Sequence, residues 1–273
     1  MNIFPDVYFL PVVTPTLPPH HHTNSFIVGT KTLFLIDSGL YGEEGVGEVV
    51  RYVEQRAEAS LERLLLTHRH PDHRVGVEAL RSRLGCTVGI HRLEAERSRD
   101  LSVDFVFEHG ERLPVDDGYI EVIHTPGHSV GHCCFLFQPR GALFTGDHIL
   151  GAGTSIVVPP EGDMAAYIDS LGLLLSYPAS VICPGHGPVV WAAREKILEY
   201  IAHRLERERA ILAELEAGVD TIEELVARIY TDTPVDLHGM AWFSVQAHLI
   251  KLEREGRVRV KHGREEKYEA VRS

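Results

Sequence analysis

The chain lacks any long apolar run, so no helix of the roughly 18 residues needed to cross a bilayer is expected. Its first residues, Met1-Asn2-Ile3-Phe4-Pro5-Asp6, lack the basic head and apolar core of a secretory signal. No Arg-rich, acid-poor transit segment stands there either. Its four cysteines, Cys86, Cys133, Cys134 and Cys183, show no paired spacing and no C-x-x-C. They read as reduced core thiols of a cytoplasmic protein. Positive charge is also scarce: 27 Lys and Arg against 39 Asp and Glu give a formal net charge of −12. That balance disfavours general polyanion binding. Bound divalent cations would offset it, and the 17 histidines, scored neutral, charge in mild acid. The distribution of charge therefore matters more than the total.

What the chain does have is a dense run, Thr67-His68-Arg69-His70-Pro71-Asp72-His73. It follows Leu64-Leu65-Leu66, an apolar stretch that reads as a buried strand. Beyond it, Val75 to Leu84 reads as a helix stopped by Gly85. The histidines and aspartate therefore occupy the turn between two rigid elements, which keeps ligands in place. At 273 residues, 44% hydrophobic and 24% charged, the chain is a soluble globular protein with one large domain or a large and a small one.

In chain order, Val7 to Val13 reads as a strand and three prolines break the stretch Thr14 to Pro19. His20-His21-His22 reads as a solvated loop or as the mouth of a site, with His22 a substrate contact. A hairpin turns at Gly29-Thr30-Lys31 and ends in Asp37-Ser38-Gly39. Residues 42–47 read as loose and 49–59 as a helix. Cys86 to Ile90 is a short strand, and Leu93 to Glu111 is uninformative. Tyr119 to Ile123 and Cys133 to Phe137 read as strands flanking Thr125-Pro126-Gly127-His128-Ser129. Ala142 to Phe144 leads into Thr145-Gly146-Asp147-His148, and Val181-Ile182 leads into Pro184-Gly185-His186. Met164 to Ser176 reads as a helix capped by Asp163.

Composition changes near residue 191. Glu195 to Glu216 has a helical apolar face, and Thr221-Ile222-Glu223-Glu224 is a capping box. A third helix is expected over about 239–255, then a hairpin about His262-Gly263. Three helices and a hairpin resemble a winged helix. The expected division is a domain of residues 1–190 and a connector helix with winged helix over 191–273.

His68, His70, Asp72, His73, His128, Asp147 and His186 all stand on strand-end loops. His68 and His70 project alike along extended backbone, while Asp72 and His73 open a helix and turn to a second point. Imidazole and carboxylate suit zinc or another borderline divalent ion. Seven such groups exceed one tetrahedral ion and suffice for two ions sharing a carboxylate.

The pattern His68-x-His70-x-Asp72-His73, with His128, Asp147 and His186, resembles the metallo-β-lactamase superfamily. The resemblance implies an αββα sandwich with the metal site at one rim. It implies that His68, His70 and His128 hold one metal, that Asp72, His73 and His186 hold the other, and that Asp147 bridges. Asp37 matches that family's carboxylate behind the ligands. His148, beside Asp147, is expected either behind the ligands or against substrate. The family often has Gly-Gly where Val75-Gly76 stands here. The antibiotic-hydrolysing subclasses replace one of these ligands with cysteine; this chain does not.

Further matches, Gly151-x-Gly153-Thr154, His203-Arg204-x-x-Arg207-Glu208, Thr221-x-x-Glu224-Leu225 and Leu252-Glu253-x-Glu255-Gly256, are similar to the beta-lactamase-like-protein-two group. That resemblance implies a sandwich with a C-terminal winged helix. Its animal members are implicated as endoribonucleases of single-stranded RNA, and fungal members as thioesterases. The expected function is a hydrolase using two divalent ions, zinc first, with manganese or iron as alternatives. Asp72 and Asp147 would be catalytic. The first expected substrate is single-stranded RNA and the second an acyl-thioester or small ester. A nucleic-acid-binding regulator with a structural metal is the remote alternative. For RNA, the basic tail around Arg257, Arg259 and Lys261 would supply a phosphate track. No membrane partner is expected, and an oligomer is left open.

Overall fold

A computed structural model describes residues 1–16, 20–39, 42–231, 233–234, 237–262 and 266–271. Leu17, Pro18 and Pro19 of the proline stretch lie outside the described residues, as do Arg264, Glu265 and Arg272 of the basic tail. The chain divides into two compact units, one of residues 1–125, 131–155 and 177–196, the other of 126–130, 156–176 and 197–273.

The first unit holds two sheets. Seven strands lie in sequence order: β1 (Asn2–Phe4), β2 (Val7–Val13), β3 (His22–Val28), β4 (Thr32–Ile36), β5 (Ser60–Leu65), β6 (Thr87–His91) and β7 (Phe105–Phe107). The strands from β4 to β7 pair in parallel, which requires crossovers. Helices α1 (Gly42–Glu54), α2 (Pro71–Arg74), α3 (Val77–Leu84) and α4 (Arg92–Ala95) supply them in part. The second sheet takes β8 (Arg112–Val115), β9 (Gly118–His124), β10 (Cys133–Phe137), β11 (Ala142–Gly146) and β12 (Val181–Pro184), ordered 12-11-10-9-8.

Central strands are apolar on both faces because both faces are covered. On β4, Phe34 and Ile36 join the core between the sheets, where Phe26 meets Phe144 at 5.1 Å between ring centroids. Leu33 and Leu35 point the other way, to a second core with Val46, Val49 and Val53 of α1 and Val77 and Leu80 of α3. That packing explains a departure from expectation. Residues 42–47 are helical despite three glycines, because Val46 opens the buried stripe that continues through Val49 and Val53. The helix then stops at Glu54, short of the expected end, as the chain enters β5. The helix expected from Val75 to Leu84 begins at Val77 as α3, and a separate short helix before it, α2, carries Asp72 and His73. Gly85 ends α3 in the left-handed conformation at φ 70°, as the stop signal implied.

The second unit contains α5 (Met164–Leu174), most of α6 (Ala193–Glu216), α7 (Ile222–Ile229), α8 (His238–Arg254) and the hairpin β13 (Val258–Lys261) with β14 (Lys267–Ala270). Asp163 caps α5 by accepting from Ala165 and Ala166, and Thr221 caps α7. Ile211, Leu215, Leu225, Val245, Leu252, Val258 and Tyr268 form one core joining three helices to the hairpin. Among the described residues, no helix is long and apolar enough to cross a membrane. All four cysteines are free and buried.

Candidate metal centre

The histidine and aspartate loops follow the carboxyl ends of β4, β5, β9, β11 and β12, where open α/β sheets place their sites. Asp37 follows β4 in the left-handed conformation, φ 55°, and is 2% exposed. Its carboxylate accepts from the Thr67 amide at 2.8 Å and the Thr67 hydroxyl at 2.8 Å, fixing the first residue of the histidine turn. Asp37 Oδ2 also lies 2.8 Å from His73 Nδ1. A carboxylate so placed accepts the hydrogen bond from Nδ1–H and so turns the Nε2 lone pair of His73 inward.

The other rings are oriented in the same way. His186 Nδ1 faces the His22 carbonyl at 2.7 Å, and His128 Nδ1 faces the Ile156 carbonyl at 2.9 Å. A carbonyl can only accept, so each Nδ1 carries the proton and each Nε2 offers a lone pair. His68 Nδ1 lies 3.0 Å from the Thr67 hydroxyl, whose own proton goes to Asp37. Its Nε2 is then the inward atom, 2.9 Å from His70 Nδ1. Gly185 permits the close approach beside His186: a Cβ there would lie 2.7 Å from the His73 ring and 2.9 Å from Asp147 Oδ1.

Two groups result. Ligand-type atoms of His68, His70, His128 and Asp147 lie within 4.8 Å of one another, and so do those of Asp72, His73 and His186. Asp147 Oδ1 is 3.2 Å from Nε2 of both His73 and His186, and Asp72 Oδ2 is 3.3 Å from His186 Nε2. His68 and His73 are closed to solvent, while His70, Asp72 and Asp147 are half-buried.

This donor set fits a divalent cation. His73 Nε2 is buried and has no hydrogen-bond partner, although it points at a carboxylate. Lone pairs of nitrogen facing carboxylate oxygens repel unless a cation or protons stand among them. Without an ion, protons fill that need. Burial pushes the His186 imidazole down, yet the Asp147 charge and its bonds to Asp147 and Asp72 outweigh burial and raise its pKa to about 10. The His73 pKa moves up for the same reason, against burial, through Asp147 and Asp37. Burial opposes ionisation of Asp72, but the His186 bond and the His73 charge hold its pKa down at about 2. Asp147 is likewise held below the usual carboxylate range by His186 and His73, against burial.

Of the other expected residues, His148 is fully buried, its ring 5.6 Å from that of His132, which packs on His68. His22 has an exposed side chain; its carbonyl is the group that meets the site. His20 is the member of the histidine run whose ring reaches in, stacked on His186 at 5.4 Å. Arg257 pairs with Glu208, and Arg259 and Lys261 both pair with Glu269.

Several partners escaped the sequence reading. Thr16 donates to Asp72 Oδ2 at 2.8 Å. Asn24 donates to the Pro184 and Gly187 carbonyls at 2.9 and 2.8 Å, pinning the loop that bears His186. Nothing local marks a threonine or asparagine for such a task, because its partner lies far along the chain.

Known proteins are similar to this chain in sequence and in fold. Residues 18–186 match the metallo-beta-lactamase superfamily domain, and residues 221–266 match the beta-lactamase associated winged helix domain. The chain is 32% identical over 262 residues to the Beta-lactamase-like protein 2 homolog of Drosophila melanogaster, covering 90% of this chain and 87% of that protein. It is 30% identical over 247 residues to an Atrochrysone carboxyl ACP thioesterase of Aspergillus chevalieri, covering 86% of this chain and 77% of that one. A metallo-beta-lactamase family protein from Thermus thermophilus superposes with a TM-score of 0.80 at 24% identity, over 99% of this chain and 100% of that one. A Beta-lactamase domain protein from Burkholderia ambifaria gives 0.83 at 21% identity, over 99% and 93%. With its α/β sandwich, its His/Asp clusters and its C-terminal winged-helix domain, the chain belongs to the metallo-beta-lactamase superfamily of hydrolases.

Proposed function

We propose that the chain is a two-metal hydrolase of acyl-thioesters or related esters, acting in the cytoplasm. In this reading His68, His70 and His128 would hold one divalent ion, Asp72, His73 and His186 would hold the second, and Asp147 would serve both. The observation that carries it is the position of Asp147. Its carboxylate groups with His68, His70 and His128, yet its Oδ1 lies 3.2 Å from both His73 and His186. Imidazole with carboxylate favours zinc, with manganese or iron as alternatives.

Bound there, a pair of divalent ions supplies Lewis-acid polarisation and a water acidic enough to ionise near neutral pH. The protein's own groups do the rest. Asp37 and the His22 and Ile156 carbonyls hold the imidazoles in the tautomer that presents Nε2. Asp72, half-buried and steadied at Oδ2 by Thr16, would hold the second ion and could accept a proton at Oδ1. His148 is closed to solvent and serves the packing behind His132 and His68, not the substrate.

The thioester reading is favoured over RNA by the hairpin charges. A phosphate track needs cations without internal partners, yet Arg257, Arg259 and Lys261 each face a carboxylate. The printed name of the Aspergillus chevalieri relative supports the same substrate class. Single-stranded RNA remains the second reading, because Arg259 and Lys261 keep side-chain exposures of 69% and 61% and surface pairs rearrange easily. The deciding experiment assays a panel of acyl-thioesters and single-stranded RNAs side by side on metal-replete protein. Faster thioester cleavage supports the proposal. RNA cleavage that outpaces every thioester, and weakens when Arg259 and Lys261 are neutralised, moves the assignment to the second reading.

A further inference from the structure

Glu94 is wholly buried, although it lies in a mixed-charge segment and belongs to neither ligand group. It sits on the short helix α4, whose next turn is closed by Ser98 Oγ donating to the Glu94 carbonyl at 2.9 Å. Its carboxyl group reaches two backbones. Oε2 accepts from the Arg69 amide at 3.2 Å, with Arg69 Nε at 3.4 Å. Oε1 accepts from the Gly131 amide at 2.8 Å. Arg69 stands between His68 and His70. Gly131 stands three residues past His128 and directly before His132.

We infer that Glu94 is a positioning residue for the metal position of His68, His70 and His128. It ties the backbone of the histidine turn to the backbone that follows His128, and so sets the spacing of loops that are remote in sequence. The inference rests on the two-metal reading above. Two features make the tie specific. Each carboxylate oxygen accepts from a main-chain amide of a different loop, which fixes loop spacing directly rather than through a neighbouring side chain. And Gly131 is fitted to it: a Cβ at that residue would lie 2.8 Å from Glu94 Cγ and 3.0 Å from the Glu94 amide nitrogen. Asp37 acts on His73 and, through Thr67, on the start of the histidine turn, but among the described residues makes no hydrogen bond to the loop after His128. The protein thus has one buried carboxylate directly behind the Asp72, His73 and His186 group and another bracing the loops of its neighbour.

The test is zinc retention against a competing chelator, read as zinc per chain, for the unaltered protein and for Glu94→Gln. The amide keeps the volume but turns one of two acceptors into a donor facing a donor. Groups that support metal ligands change affinity by about 10- to 100-fold when replaced. The expected result is that Glu94→Gln releases one zinc at about 10- to 100-fold lower chelator while the other is held as before, with the circular dichroism of a folded chain. Gly131→Ala, which displaces the tie without removing it, should shift the same zinc. Equal weakening of both zincs, or unaltered affinity at both, overturns the inference. If the variants do not fold, amide exchange in the unaltered, metal-free protein decides: slow exchange at Arg69 and Gly131 supports the tie, and fast exchange at either overturns it. An unaltered protein that binds no zinc would instead refute the two-metal reading itself.

Discussion

His73 Nδ1 and Asp37 Oδ2 lie 2.8 Å apart, with His73 closed to solvent and Asp37 2% exposed. That pair converts the strained end of a strand into control over a ring two loops away. Asp37 takes φ 55° and Thr67 supplies two further donors to it. Replacing Asp37 by asparagine keeps the shape but turns one of the two acceptor oxygens that serve His73 and Thr67 into a donor. Metal affinity at the Asp72, His73 and His186 position should fall about 10- to 100-fold. Turnover should fall at limiting metal and recover in part at saturating metal, as kinetics across a zinc titration would show.

Removing the shared carboxylate should be more severe. Asp147→Ala is expected to leave a folded chain, since the cores lie elsewhere. Its turnover should drop by more than about 100-fold, the scale of losing one preorganised charge-stabilising group. Circular dichroism with steady-state kinetics checks both halves, and a folded variant with wild-type turnover would contradict the assignment.

A pH effect should arise away from the centre. His248 on α8 is fully buried, and neither ring nitrogen has a hydrogen-bond partner. Burial, then the charges of Arg204 and Lys251, depress its pKa to about 3. The unfolded chain takes up a proton near the ordinary value of about 6.5, while the folded chain resists until about 3. Stability from this residue is therefore present above about pH 6.5 and is lost as pH falls toward about 3. His248→Leu should flatten that acid limb in urea unfolding and change stability little at pH 8. An identical acid limb in both proteins would contradict it.

The hairpin arginines should differ. Arg257 meets Glu208, whose side chain is 6% exposed, whereas Arg259 meets Glu269, whose side chain is 36% exposed. Arg257→Ala strips one of the two cations of a buried carboxylate and should cost about 1–2 kcal/mol of stability. Arg259→Ala should cost less than about 0.5 kcal/mol. Thermal unfolding of the two variants separates these values.

The sequence made the site legible because its ligand types crowd into one turn and recur at strand ends. His68 to His73, His128, Asp147 and His186 could be picked out before any fold was known, and the structure brings them into two adjacent groups. The cores were legible too, since Leu33 to Ile36 of β4 and Leu64 to Leu66 at the end of β5 are continuous apolar runs. What stayed hidden depends on distant partners. Gly42 to Gly47 read as loose because glycine disfavours helix, and tertiary burial of Val46 overrode that. Glu94 lay in a segment that was uninformative, because nothing near it in sequence reveals the Arg69 and Gly131 amides. The role of His22 lies in its main-chain carbonyl, which no side-chain pattern encodes.

The most direct test of the two-metal hydrolase is elemental analysis of the purified chain alongside its turnover, before and after chelation. The account predicts two divalent ions per chain, activity lost with them and regained on their return. Undiminished turnover in protein stripped of metal would contradict it.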